Sequence, residues 1–137
     1  ANIDVYITHL TGGGEKVRTA QAESVKSFID STRGPGPLIL LGDLSDEPTS
    51  TTYKVFTGAG LQDLGAQNNL PTCCRDKAVG EQPALTQRTD YFFADRWVAP
   101  PVQLWGDKPD QRADGSWLYD SDHNGLTAVF PLAIAGP

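Results

Sequence analysis

The chain has only two histidines, His9 and His123, and each stands near carboxylates. In "YDSDHNGLTAVF", residues 119–130, Asp120, Asp122 and His123 come directly before a run that alternates polar and apolar residues. "THL" at residues 8–10, "GDLSDEPTS" at 42–50 and "RTDYFF" at 88–93 add His9, Asp43 and Asp90. An imidazole near its neutral pKa can donate or accept a proton, and a carboxylate can orient it, activate water or bind a cation. Each motif also has a plain structural explanation. Asp43 can accept turn hydrogen bonds, Asp90 can pair with Arg88 or face solvent, and either histidine can sit on the surface.

The elements around these residues bring them into relation. Ile3, Val5 and Ile7 alternate with Asp4, Tyr6 and Thr8, the pattern of a half-buried strand ending near His9. Residues 15–32 place Val17, Ala20, Val25, Phe28 and Ile29 on one helical face, and Gly34 follows as a stop signal. "LILLG" at 38–42 is the short apolar run of a strand covered on both faces, with Asp43 at its end. A shorter helix is expected over 50–57, and strands over 89–94, 102–105 and 126–132. Residues 67–87 and 107–122 are polar and turn-rich, and both are expected to be surface loops. The order points to an α/β fold, or α+β layers, in one domain over 1–137. His9, Asp43, Asp90 and His123 then fall at strand ends, where separated residues meet on a rigid frame.

Composition narrows the partners. With 137 residues and 39% apolar side chains the chain can bury its own core. A net charge of −6 excludes a broad basic surface for polyanions, so any phosphate must be met locally. No stretch has the length and apolarity of a membrane span, and residues 1–10 lack the features of a signal peptide. The absence of methionine suggests a mature or excised product. No compartment is legible, although secretion is favoured. Cys73 and Cys74 are adjacent, which is the spacing of neither a zinc site nor a long-range bridge, and a reduced pair is expected over a vicinal disulfide. Trp97, Trp105 and Trp117 are expected to pack in the core or loops, with base stacking as the functional alternative.

In order and spacing, "THL", "GDLSDEPTS", "RTDYFF" and "SDHNG" resemble motifs of the endonuclease/exonuclease/phosphatase superfamily, and Thr72-Cys73-Cys74 resembles a pattern in some microbial members. The resemblance implies one mixed sheet with flanking helices, the C-terminal half of a deoxyribonuclease-like four-layer α/β sandwich. It implies catalytic roles for His9 at the phosphate or leaving group, Asp43 at the attacking water, and His123 on the scissile phosphate, held by Asp90. Asp122 would bind Mg2+, or Mn2+ or Ca2+. Ser45 stands where the family usually has a phosphate-binding asparagine, and Thr89 replaces an apolar residue. The family's N-terminal asparagine and metal-binding glutamate have no counterpart, and Glu15, Glu23, Glu47 and Glu81 match no motif.

The implied activity is metal-dependent phosphodiester hydrolysis, most like a nuclease acting on DNA or RNA. A lipid or inositol phosphate phosphoesterase, or a noncatalytic binding module, is the alternative. A lone half also exposes a sheet face, so an N-terminal fragment or a second copy of the chain is expected to cover it.

Overall fold

A computed structural model describes residues 2–77, 79–80, 84–96 and 100–130. Along the chain run β1 (Asp4–His9), α1 (Glu15–Thr32), β2 (Leu38–Asp43), α2 (Thr51–Gly58), β3 (Gln62–Asp63), β4 (Asp90–Ala94), β5 (Gln103–Trp105), β6 (Asp110–Gln111), β7 (Trp117–Leu118) and β8 (Gly125–Thr127). The main sheet has the order β1-β2-β4-β3. Helix α1 is the crossover that lets β2 lie parallel to β1, whereas β4 runs antiparallel to both β2 and β3. The mixed sheet with two helices is the expected architecture.

One face of the sheet meets the helices. Leu38, Leu40, Tyr91 and Phe93 pack there with Ala22 and Ile29 of α1 and Phe56 of α2, all buried. At roughly 1.5–3 kcal/mol for each large apolar side chain removed from water, this cluster is the main source of cohesion. Helix α2 begins at Ser50, whose hydroxyl accepts the Tyr53 N–H at 3.1 Å. Helix α1 ends at Thr32 as expected, but its end is tied by ionic contacts. Arg33 pairs with Asp95 at 2.5 Å, and the Gly34 N–H donates to Asp4 at 2.7 Å.

The other face is only partly covered. Ile39 and Ala94 are buried against Leu64 and Val102, with Leu41, Phe92, Leu126, Ala128 and Phe130 packed around them. The ribbon formed by β5 and β8 supplies much of this cover. It leaves β1 bare: Ile3, Val5 and Ile7 are exposed, Ile7 to 76%. The alternation of β1 is therefore real, but Asp4, Tyr6 and Thr8 form its more buried set and the aliphatic set faces outward.

Several other sequence expectations shift. In α1 the inward stripe is Ala22, Val25 and Ile29, while Val17, Ala20 and Phe28 are exposed. Residues 67–87 are not simply a surface loop, because Thr72, Cys73 and Arg75 are buried. Residues 107–122 contain the β6–β7 hairpin, although its residues are exposed as a solvated segment would be. The last strand starts one residue earlier than expected and ends at Thr127, and residues 131 and 132 lie outside the described residues. Trp105 is exposed to 69% and Trp117 sits at the surface, so neither is a core residue, and Trp97 and Glu81 lie outside the described residues.

Arg88 pairs with Asp63, not with Asp90. Its guanidinium reaches both carboxylate oxygens at 2.5 and 2.6 Å, and the two side chains are 5% and 2% exposed. Asp63 also accepts the Tyr53 hydroxyl at 3.0 Å. Burial, with Asp63 beside it, pushes the Tyr53 phenol up to about 12. Removing one partner of a buried ion pair leaves an uncompensated charge. Asp63→Asn is therefore expected to lower stability by about 3–5 kcal/mol in urea denaturation, and the apolar double variant Arg88→Met/Asp63→Leu to recover much of that loss.

Candidate active site

The site is written into strand register. Where β1 and β2 run parallel, His9 is opposite Asp43, and where β2 meets β4, Asp43 is opposite Asp90. Three candidate site residues thus lie side by side across three adjacent strands, at one edge of the sheet and on the face away from the helices. Gly42 makes this closure possible. A Cβ on it would stand 1.8 Å from the Thr8 carbonyl oxygen, and its φ of +136° is one that side-chain-bearing residues rarely adopt. The residue before Asp43 therefore has to be glycine.

The fourth member arrives by another route. His123 lies two residues before β8, and its Nδ1 is 2.9 Å from Asp90 Oδ2. Its Nε2 faces Asp43 Oδ2 at 4.0 Å, and His9 Nε2 approaches the same oxygen at 3.4 Å. His9 is 74% exposed at the rim, whereas Asp43, Asp90 and His123 are about three-quarters buried or more. Partial burial works to depress the His123 pKa. The hydrogen bond and charge of Asp90, joined by the charges of Asp43 and Asp122, outweigh it and raise the net value above the ordinary histidine range.

The remaining expected residues sit close by with different commitments. Asp43 Oδ1 accepts the Ser45 N–H at 2.6 Å, which leaves Oδ2 free toward the histidines. Ser45 donates its hydroxyl to the Leu10 carbonyl at 3.0 Å and so ties the end of β1 to the loop after β2. Asp122 is exposed, and its carboxylate accepts only the Ser121 hydroxyl among the hydrogen bonds of the described residues, at 3.2 Å. Asp43, Asp90 and His123 form a group whose donor atoms lie within 4.8 Å of one another, and Asp122 lies outside that group.

The loop between β3 and β4 contributes Thr72, which the sequence offers only as part of a resembling pattern, and Arg75, which no motif singles out. The buried hydroxyl of Thr72 accepts the N–H groups of both Thr89 and Asp90 at 3.1 Å, and its carbonyl accepts the Asn124 N–H at 2.8 Å. It therefore joins the Asp90 strand to the His123 loop. Arg75 grips that loop from below, donating to the carbonyls of Ser121 at 3.1 Å and His123 at 3.2 Å and to the Asn124 side chain, with Tyr119 stacked 4.0 Å from its guanidinium. The sequence signal was the run Pro71-Thr72-Cys73-Cys74-Arg75 inside a polar segment, too short to reveal burial. The cysteine expectation is also corrected. Cys73 and Cys74 are joined in a disulfide, which their loop holds against His123 with Cys74 Sγ 3.4 Å from Nε2.

This arrangement of sheet and helices has known counterparts. No family model matches the sequence, and no curated protein matches it in sequence. Solved structures do match in fold. A mannosyl-6-phosphatase of Bacteroides thetaiotaomicron VPI-5482 superposes with TM-score 0.67 at 21% identity, over 92% of this chain and 51% of that one. An endonuclease/exonuclease/phosphatase family protein of the same species gives 0.64 at 21%, over 89% and 47%. TDP2 of D. rerio, complexed with a single-strand DNA product, gives 0.58 at 24%, over 89% and 53%. The chain has the fold of part of an endonuclease/exonuclease/phosphatase domain. It spans about half the length of each of these structures.

Thr72 is the residue on which the Asp90–His123 geometry leans. Thr72→Val keeps the shape and removes the acceptor of two backbone N–H groups, so a loss of about 2–3 kcal/mol is expected in urea denaturation. The His123 ring N–H signal in NMR should broaden in the same variant.

Proposed function

We propose that this chain is the C-terminal half of a divalent-metal-dependent phosphodiester hydrolase acting on nucleic acid. The observation that carries the reading is the Asp90–His123 hydrogen bond of 2.9 Å, with the other ring nitrogen turned toward Asp43. Asp90 holds the proton on Nδ1 and stabilises the imidazolium, so Nε2 can donate to a phosphate oxygen as negative charge develops there. Asp43 Oδ2, which accepts no backbone N–H among the described residues, orients and deprotonates water. His9, exposed at the rim, contacts the phosphate or the leaving oxygen. Ser45 can join the phosphate contacts only by withdrawing its hydroxyl from Leu10.

The donor chemistry fits Mg2+ or a similar hard cation, which binds through one or two carboxylates and keeps several waters. Asp122 is the carboxylate best placed to hold it, because Asp90 is already committed to His123 and Thr89 and Asp43 to Ser45. When bound, the ion neutralises phosphate charge. Nucleic acid is preferred as substrate because TDP2 of D. rerio, a match in fold, is complexed with a DNA product. No helix of the described residues is long and apolar enough to cross a membrane.

The bare strip of β1 supports an assembled form. Ile3, Val5 and Ile7 continue the row that Ile39, Leu41, Phe92 and Ala94 begin, and the matched structures are about twice as long as the chain's share of them. An N-terminal half, or a second copy in its place, covers this strip. A stable interface buries on the order of 1,000 Å² or more. In sedimentation the purified chain is expected to associate at micromolar concentration, and Ile7→Asp to shift it to monomer. A wild-type chain that stays monomeric throughout would remove the association reading.

Hydrolysis of plasmid DNA by the assembled protein is expected to require Mg2+ or Mn2+ and to stop in EDTA. Asp90→Asn should reduce turnover by about 10²-fold or more while the folded state, followed by circular dichroism, is kept. Undiminished turnover in that variant would make the pair structural. Failure of the wild type to cleave with metal and partner present would leave a noncatalytic binding module.

A further inference from the structure

The Cys73–Cys74 disulfide plays no part in the proposed hydrolysis, yet it lies against the imidazole that the reaction would use. Cys73 Sγ, Cys74 Sγ and a ring nitrogen of His123 all lie within 4.8 Å of one another. Cys73 is 6% exposed, whereas Cys74 is open to solvent. We propose that, once the disulfide is reduced, Cys73, Cys74 and His123 form a site for a soft divalent cation such as Cd2+ or Zn2+.

Three observations support it. The first is distance. A thiolate sulfur at about 2.3 Å and an imidazole nitrogen at about 2.0 Å from one tetrahedral ion stand roughly 3.5 Å apart. Cys74 Sγ and His123 Nε2 are 3.4 Å apart. The second is orientation. His123 gives Nδ1 to Asp90 at 2.9 Å and leaves Nε2 toward the sulfurs, which is how a carboxylate typically sets a metal-binding histidine. The third is reach. The two sulfurs are bonded to each other, so both side chains already come to one point beside the ring. Thiolate and imidazole donors select soft or borderline cations, whereas the neighbouring carboxylates suit hard ones. Adjacent cysteines are not the spacing of a closed structural zinc site, and three donors leave a coordination position open.

The step needs a dithiol reductant. One of its thiolates attacks the exposed Cys74 sulfur, the Cys73–Cys74 bond breaks, and Cys73 leaves as a thiolate that takes a proton. The second reductant thiol attacks the mixed disulfide, loses its proton, and releases Cys74 as a thiol. Two electrons and two protons pass to the protein, and the reductant becomes a disulfide. Each cysteine gives its proton to solvent as it takes the cation. An ion on Nε2 also withdraws that nitrogen from phosphate. That consequence rests on the phosphodiesterase reading, but the site itself does not.

The test uses the full chain, reduced with a dithiol that is then removed, and Cd2+ alone as probe, with no substrate. The expected result is two titratable thiols, unchanged circular dichroism, and a thiolate-to-cadmium charge-transfer absorption that saturates at one equivalent. The oxidised protein should give no such absorption. Alkylating the reduced thiols should abolish it, as should Cys74→Ser, and His123→Gln should weaken cadmium binding by about tenfold or more. The proposal is overturned by a chain with two free thiols and no absorption, by loss of fold on reduction, or by a His123→Gln titration identical to wild type. Since no hydrolysis is measured, failure here leaves the hydrolase reading standing, and failure of the hydrolase reading leaves this result intact.

Discussion

The close approach of Gly42 to the Thr8 carbonyl sets the relation between β1 and β2, and much else follows from it. Because the strands meet there in parallel register, His9 falls opposite Asp43, and the antiparallel pairing with β4 brings Asp90 to the same row. A shift of one residue in any of these strands would turn its candidate site residue to the helix-packed face. Hydrophobic burial of Leu38, Leu40, Tyr91 and Phe93 guards against such a shift, since the same slip would expose them. The core and the site are thus two faces of one registration.

His123 is held differently. No strand pairing with the main sheet fixes it, so its position depends on polar contacts from residues 71–75 and on Asp90. Thr72 connects backbone to backbone, Arg75 supplies several donors to carbonyls and to Asn124, and the disulfide closes the third side. The buried Arg75, which meets no carboxylate among the described residues, is satisfied by oxygen dipoles and a tyrosine ring, an arrangement that suits a rigid fork of five donors.

Where the chain's own periodicity carried the information, the elements were legible. Helix α1, strand β2 and strand β4 stand within a residue or two of their expected bounds, because an unbroken apolar run or an 18-residue amphipathic stretch leaves few alternatives. The candidate site residues were legible as types placed at or near strand ends, and the structure brings His9, Asp43, Asp90 and His123 together. Two kinds of information were not. The facing of β1 is decided by what covers each side, so Ile3, Val5 and Ile7 looked like a buried set and are the exposed one. The support from Thr72 and Arg75 depends on contacts across 17 to 49 positions of sequence, which no local pattern encodes.

Val5, Ile7 and His9 project from the same side of one strand, at intervals of about 6.8 Å. The greasy end of that line and its histidine end are therefore a single ruler with two scales. Any surface seated on Val5 and Ile7 ends one notch from His9 and borders the row of His9, Asp43 and Asp90. Substitutions in whatever lies there would be felt at that row as well as in adhesion.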